Sequence, residues 1–473
     1  MIKNMQLRPL SLACLAALSL LGGCALGPDF QRPEISVPAE FRAARGWKAA
    51  EPQDQAAPAA WWEIYGDPVL NDLVAQVASA NQNVAAAEAQ YRQAQGLLSG
   101  SRAAWFPNLG SSVTATRSQG STTGSTVNNT SPAKNTDRLS LSSSWELDLW
   151  GRISRQVESS ERSAQASAAD LAAARLSAQA TLAQSYLQLR INDAQQRLLA
   201  KTLSAYRRSH EITRNRYEAG VASQADVAQA ETQLKTTEAQ AIDLGIQRAQ
   251  LEHAIAVLIG QPPATVQIAP VDAVPSLPAI PASLPSALLE RRPDVAAAER
   301  RVAAANAQIG VAQAAFFPTL TLSASGGYVN DNFADIISTP HRFWSLGPAL
   351  ALSLFDAGAR SAVKEQAVAG YDKSVASYRQ TVLTAFGEVE DNLTALRILD
   401  REKDVQRAAT VAANQFQTLT NNQYLAGTVS YLNVATAQAA ALNAERSSLD
   451  LLNRQLTASV ALIKALGGND WRQ

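Results

Sequence analysis

Arg138-Leu-Ser-Leu-Ser-Ser-Ser-Trp-Glu-Leu-Asp-Leu-Trp150 is the stretch on which the fold turns. Leu139, Leu141, Trp145, Leu147 and Leu149 share one phase of a two-residue period; Arg138, Ser140, Ser142, Ser144, Glu146 and Asp148 share the other. Successive side chains of a strand point to opposite faces, so this alternation puts one face in an apolar medium and the other in water. Working outwards, a partner strand is expected at about 108–118 and the return strand at about 137–149, joined by the Gly/Ser/Thr/Asn tract Ser118–Thr136. Such lengths match a tilted bilayer crossing of about 9–11 residues. Aromatic residues cluster at two levels. Trp105, Phe106, Trp150, Phe316, Phe317 and Phe355 mark one, and Tyr328, Phe333, Phe343 and Trp344 the other. That is how interfacial girdles are distributed on membrane barrels.

The pattern occurs twice. Asn83-Val-Ala-Ala-Ala-Glu88 returns as Asp294-Val-Ala-Ala-Ala-Glu299, and Ala104-Trp-Phe-Pro107 as Ala315-Phe-Phe-Pro318. Arg216-Tyr-Glu-Ala-Gly220 returns as Gln423-Tyr-Leu-Ala-Gly427, and Leu258-Ile-Gly260 as Ala465-Leu-Gly467. The offset is 211 residues for the first two pairs (83 to 294, 107 to 318) and 207 for the others (220 to 427, 260 to 467). Two copies are too few for a solenoid and define a duplicated unit. The expected organisation is a leader at 1–23, an extended segment at 24–66, a first repeat at 67–260, a Pro-rich linker at 261–285, a second repeat at 286–468 and a tail at 469–473. Strands of the second repeat are expected at about 318–329 and 344–355.

Each repeat reads as helix, strand pair, very long helix, turn and helix. The first helix is expected from Asp67 to Ala104, ending before Pro107 because the residue preceding proline is pushed out of the helical region. The long helices have neither Pro nor Gly between Gly151 and Ala219, and only Gly370 and Gly387 between Ala359 and Ala426. At ~1.5 Å per residue each is a rod of roughly 100 Å, longer than any globular core needs. Leu199, Leu203, Tyr206, His210, Thr213 and Tyr217 step by four and three, a heptad seam that Val227, Ala230, Leu234, Thr237, Ala241 and Leu244 continue. Each repeat therefore ends in a helical hairpin with Gly220 or Gly427 at its turn.

Composition excludes several classes. The 473 residues carry zero net charge, which gives no electrostatic case for nucleic acid. No stretch after the leader approaches the ~20 apolar residues of a spanning helix, so any membrane crossing falls to strands. His210, His253 and His341 are the only histidines, and no phosphate loop, nucleophile elbow or zinc spacing is present. His210-Glu-Ile-Thr-Arg214 misses the metalloprotease helix motif, with Arg where the second His is required. No cofactor and no enzymatic activity are expected. Lys3 and Arg8 precede the apolar run Leu10–Leu21, as in a secretory leader. The run ends in Leu21-Gly-Gly-Cys24, which resembles a bacterial lipobox and makes Cys24 the expected site of a covalent lipid. The other cysteine, Cys14, lies in the leader, so no disulfide is expected.

Four strands cannot close a barrel, and open edges in lipid leave backbone groups unsatisfied at several kcal/mol each. Two copies give eight strands with a filled interior; three give twelve and an aqueous lumen. The expected fold is mainly α with a membrane β-barrel, four strands per chain joining a twelve-stranded trimeric barrel that continues as a periplasmic α-helical barrel. Arg138, Glu146 and Asp148 are the lumen-facing candidates, and their mixed signs forecast no strong ion selectivity.

Trp61-Trp62 followed by Asp67-Pro68-x-Leu70-x-x-Leu73, Arg291-Arg-Pro-Asp294, Ala315-Phe-Phe-Pro318 and Tyr424-x-Ala-Gly427 resemble the TolC-like outer-membrane efflux proteins, in their OprM/NodT-type lipoprotein branch. The resemblance covers nearly all the chain after the leader. It implies a homotrimeric passive duct of a tripartite pump, set in the outer membrane and extending into the periplasm. It also implies partnership with a periplasmic adaptor and an inner-membrane transporter of RND type, and drugs or other small toxic compounds as cargo. Relatives of this kind carry a Leu and an acidic residue one helical turn apart at a periplasmic gate. Those positions fall on Leu432 and Thr436, so the hydrophobic ring persists and the acidic ring does not; Asp226, after the other hairpin turn, is the alternative acid. In the first repeat Ala225 aligns with Leu432 and Gln229 with Thr436. Two other readings share these features: a type I protein-secretion duct, and a periplasmic coiled-coil lipoprotein without a pore.

Overall fold

The computed structural model describes residues 26–33, 60–119, 133–278 and 292–468. Cys24, most of the leader-proximal segment, the end of the linker and the C-terminal tail lie outside them. The chain sorts into two compact units. One takes residues 91–166 and 298–378 with the start of the chain; the other takes 35–90, 167–297 and 379–473.

The first unit holds an antiparallel sheet of four strands, β1 (Asn108–Ser118), β2 (Lys134–Leu147), β3 (Thr319–Asn330) and β4 (Arg342–Ala351), in the order β1-β2-β3-β4. β2 pairs with β3 across the repeats, with Ser142 opposite Ser325 and Leu147 opposite Leu320. β2 begins at Lys134 and stops at Leu147, two residues short of the expected end, because Asp148 is committed to the next helix. Its carboxylate accepts from the Ile153 and Ser154 amides at 2.8 and 2.7 Å and from the Ser154 hydroxyl at 2.6 Å. Asp356 repeats the device, accepting from the Gly358 and Arg360 amides, so β4 ends at Ala351 and not at Phe355. In the same unit residues 26–33 form a strap. Arg155 donates to the Leu26 and Gly27 carbonyls and to Asp29, and Asn306 donates to the Pro28 carbonyl at 2.8 Å. A Cβ on Gly27 would come within 2.6 Å of the Gly310 Cα, so this crossing requires bare backbone.

The long helices α3 (Arg152–Glu218) and α6 (Ala359–Leu425) contribute residues to both units. In the second unit α3 returns through α4 (Gln224–Leu258) and α6 through α7 (Tyr431–Ala465). The single helix expected from Asp67 to Ala104 is two, α1 (Pro68–Ala80) and α2 (Gln82–Ala103). Asn81 breaks it. Its backbone is extended, and its side chain accepts from the Asn83 and Val84 amides while donating to the Leu258 carbonyl at 2.8 Å. A short amide side chain that bonds local backbone competes with the helix ladder, and here it wins. α5 (Pro293–Ala314) opens the second repeat. Trp61, Leu70, Val74, Leu182, Tyr186, Ile255, Leu456 and Ile463 form the core of the second unit.

Pro-rich chain has few amides to donate, yet its carbonyls still need partners. Arginines supply them. Arg248 reaches the Ile268 carbonyl at 2.6 Å, Arg190 the Ala269 carbonyl at 2.8 Å, and Arg197 the Val271 and Asp272 carbonyls. Arg190 and Asp193 are fully buried, and Asp193 also accepts from Arg248 at 2.9 Å. Tyr186 accepts from Arg190 and donates to Asp67, whose other oxygen caps α1. One hydrogen-bonded chain thus joins the linker to the Asp67-Pro68 motif.

The Arg-Arg-Pro-Asp motif acts as a second tie. Arg292 donates a fork to Asp294 at 3.0 and 2.7 Å, and also to Glu388 at 2.6 Å and the Ala465 carbonyl at 3.2 Å. Burial works to raise the Asp294 carboxyl, but the Arg292 guanidinium outweighs it and holds the group below its ordinary value. Arg292→Ala is expected to cost about 1–2 kcal/mol, from lost bonds to half-exposed carboxylates, and to lower the Tm. A depressed carboxylate contributes stability that is present above its unfolded value of ~3.9 and lost as pH falls through the folded one. The Tm gap between wild type and Arg292→Ala should therefore stay constant above about pH 5 and shrink below about pH 4. A gap that ignores acid would remove Asp294 from the tie.

Candidate functional site

Two places carry the function-bearing chemistry, one in each unit. In the sheet, the register aligns the two phases of all four strands. One face carries Leu109, Val113, Leu139, Leu141, Trp145, Leu320, Leu322, Leu346 and Leu350; the other carries Ser112, Ser140, Ser142, Ser144, Thr321, Ser323, Ser325 and Ser345. Leu109, Val113, Leu141, Leu346 and Leu350 are all exposed. A soluble sheet does not leave a whole apolar face open to water. At its ends Trp150 stacks on Phe317 at 5.0 Å and donates to the Pro318 carbonyl, while Trp145 donates to the Trp105 carbonyl. Among the described residues no helix is long and apolar enough to cross a membrane.

The lumen-facing candidates behave differently from one another. Arg138 lies over the Phe343 ring at 4.5 Å. Glu146 makes two 2.8 Å bonds to Arg152, and Asp148 caps α3. All three are lumen-facing candidates by phase; the pairing of Glu146 and the cap by Asp148 both cross the turn at Gly151, which the strand's alternation does not register.

In the second unit the two hairpin ends meet. α3 and α6 both finish in a left-handed glycine, Gly220 (φ 75°) and Gly427 (φ 78°). The Gly220 amide bonds the Tyr217 carbonyl and the Val221 amide the Arg216 carbonyl; Gly427 and Thr428 bond Tyr424 and Gln423 in the same way. Both are Schellman ends, which is why the Tyr-x-Ala-Gly motif recurs. Across the hairpins, Arg216 donates to the Tyr424 carbonyl at 2.6 Å and lies 4.6 Å over its ring. Thr213 gives its proton to the Ser209 carbonyl, so the Tyr424 phenol is the donor in their 3.1 Å bond. Tyr424 meets Tyr431 edge-on at 5.6 Å, packed with Ala230, Val434 and Ala435. Burial pushes the Tyr431 phenol up, and Ser209 donates to it at 3.4 Å.

The gate candidates sit beside this cluster. Leu432 is 60% exposed, and Thr436 is exposed with its hydroxyl bonded back to the Leu432 carbonyl. Asp226 is held in a capping box, accepting from the amide and hydroxyl of Ser223 at 3.0 and 2.8 Å. His210 is half-buried on the seam, but Tyr217, expected to pack, is 44% exposed while its counterpart Tyr424 is buried. Charge is also divided unequally. The second repeat has no Asp, Glu, Lys or Arg between Arg407 and Glu445, whereas the matching part of the first (201–237) carries Lys201, Arg207, Arg208, Glu211, Arg214, Arg216, Glu218, Asp226, Glu231 and Lys235. No cluster of His, Cys, Asp and Glu suited to a metal occurs among the described residues.

The family model for outer membrane efflux proteins matches residues 73–261 and 284–468. The chain is similar to the probable efflux pump outer membrane protein TtgC of Pseudomonas putida, 31% identical over 477 residues that cover 98% of this chain and 96% of that one. It is similar to the pyoverdine export outer membrane protein OpmQ of Pseudomonas aeruginosa, 32% identical over 464 residues covering 97% and 96%. Among solved structures the outer-membrane channel OprN superposes with a TM-score of 0.87 at 32% identity, covering 94% of this chain and 99% of that one. The chain belongs to the outer membrane efflux protein family, and its place is the outer membrane.

Arg216→Ala removes both the bond to the Tyr424 carbonyl and the cation over its ring, worth roughly 1–3 kcal/mol together. If the hairpin ends are the closed element, single channels of this variant open more often than wild type while keeping the same open conductance. An unchanged open probability would exclude Arg216 from the closure.

Proposed function

We propose that three copies of this chain assemble into the outer-membrane duct of a tripartite efflux pump, passing drugs or other small toxic compounds from periplasm to exterior. The observation that carries the reading is the sheet: one exposed apolar face, one hydroxyl face, and free edges at β1 and β4. Twelve strands from three copies satisfy those edges and enclose a lumen lined by Ser and Thr. The helical hairpins continue the duct into the periplasm, where a periplasmic adaptor and an inner-membrane RND-type transporter meet it. A lipid on Cys24 anchors the start of the chain, and the arginine-clamped strap 26–33 ties that anchor to the sheet-bearing unit. The duct performs no chemistry; the transporter supplies energy and selection.

Closure lies at the hairpin ends, with Leu432 as the apolar constriction. Asp226 is engaged by Ser223, and the second hairpin end has no acidic residue between Arg407 and Glu445, so an acidic ring is missing beside Leu432.

Purified protein should run as a heat-modifiable trimer and conduct in planar bilayers, and deletion should lower drug tolerance. Loss of one secreted polypeptide with tolerance intact would replace this reading by type I secretion. Thr436→Asp should lower single-channel conductance or make it blockable by divalent cations; no change would remove position 436 from the gate.

A further inference from the structure

Among the described strand residues the hydroxyl face of the sheet carries three charged side chains, Lys134, Arg138 and Glu146, each at a different level. Arg138 lies opposite Thr114 on β1 and Val329 on β3. It shares its face with Ser112, Ser140 and Gly327, and with Phe343, which pairs with Gly327. The guanidinium sits 4.5 Å from the Phe343 centroid. An aromatic face fixes a cation in place without cancelling its charge. The carboxylate on this face, Glu146, is neutralised by the fork from Arg152, and Asp148 is spent on the amides that open α3. Asp137 belongs to the opposite phase. Lys134 has the phase of Arg138 but stands at the rim of the sheet, opposite Ser118 at the start of β2. Between Ser118 and Ala133 the sequence has no acidic residue.

We propose that Arg138 makes the outer section of the lumen attract anions, so that the duct favours anionic and neutral permeants over cations there. This rests on the trimeric duct reading, in which three guanidiniums ring one level of a water-filled, hydroxyl-lined wall. A low-dielectric wall concentrates the field of such a ring within the lumen. Salt screens it over about 8–10 Å, so the effect is local and fades at high ionic strength.

A thiol placed one step along the same face reads that potential without involving the periplasmic end. In the intact trimer, Ser140→Cys is treated with membrane-impermeant methanethiosulfonates, one bearing a sulfonate and one a trimethylammonium group. The ratio of their rates cancels the intrinsic reactivity of the thiol. At low salt the anionic-to-cationic ratio should fall by about threefold or more when Arg138→Gln is added, recover with Arg138→Lys, and lose its dependence on Arg138 at high salt. An unchanged ratio with both reagents reacting overturns the inference. Leu141→Cys, on the apolar face, is the separate control. If the impermeant reagents modify it as fast as Ser140→Cys, the two faces are not lipid and water, and the duct reading itself fails.

Discussion

Backbone pairing at the ends of a four-stranded sheet governs what the rest of the molecule has to be. β1 and β4 each present a row of amides and carbonyls with no strand partner among the described residues. Water would satisfy those groups, but the sheet's exposed Leu, Val and Trp residues belong in hydrocarbon, where each unpaired group costs several kcal/mol. Both demands are met by closing the sheet with further copies. The duplication prepares for this, since β2 and β3 already pair across the two repeats, and β4 and β1 of successive copies can pair in the same antiparallel sense.

The helical part answers a different demand. Its helices are rich in Ala, Gln and Ser, and polar ties supplement the apolar packing along their seams. These ties are the arginines that grip the linker carbonyls, the Arg292 bonds to Glu388 and the Ala465 carbonyl, and the Arg216–Tyr424 contact. The Arg190, Arg292 and Arg216 contacts join segments far apart in sequence, and the last two lie under the Arg-Arg-Pro-Asp and Tyr-x-Ala-Gly motifs.

Much of the fold was legible because it rests on periodicity and on special backbone positions. Alternation revealed the strands, and the paired Tyr-x-Ala-Gly motifs revealed left-handed helix ends. What escaped was side-chain competition and inequality between repeats. Asn81 breaks a helix by bonding three backbone groups, which a hydrophobic pattern cannot register. Glu146 and Asp148 read as lumen-facing by phase alone, because their partners lie past a turn. Ser223-x-x-Asp226 was readable as a capping box, and that reading would have marked the acid as occupied. Tyr217 and Tyr424 sit in the same motif, yet only the second is covered by a neighbouring hairpin of its own chain.

That last inequality bears on how many partners the assembly can hold. Both hairpins end in the same glycine geometry, so an assembly of three chains presents six backbone-equivalent ends. At the hairpin ends the charged side chains belong to the first repeat, the second having none between Arg407 and Glu445, so the same ring presents only three chemically equivalent ends. A partner that grips the turn by its shape and main chain finds six berths, and one that reads ionic character finds three. Stoichiometry would then be decided by the kind of contact the partner makes, and a six-membered collar would have to accept two unlike classes of seat.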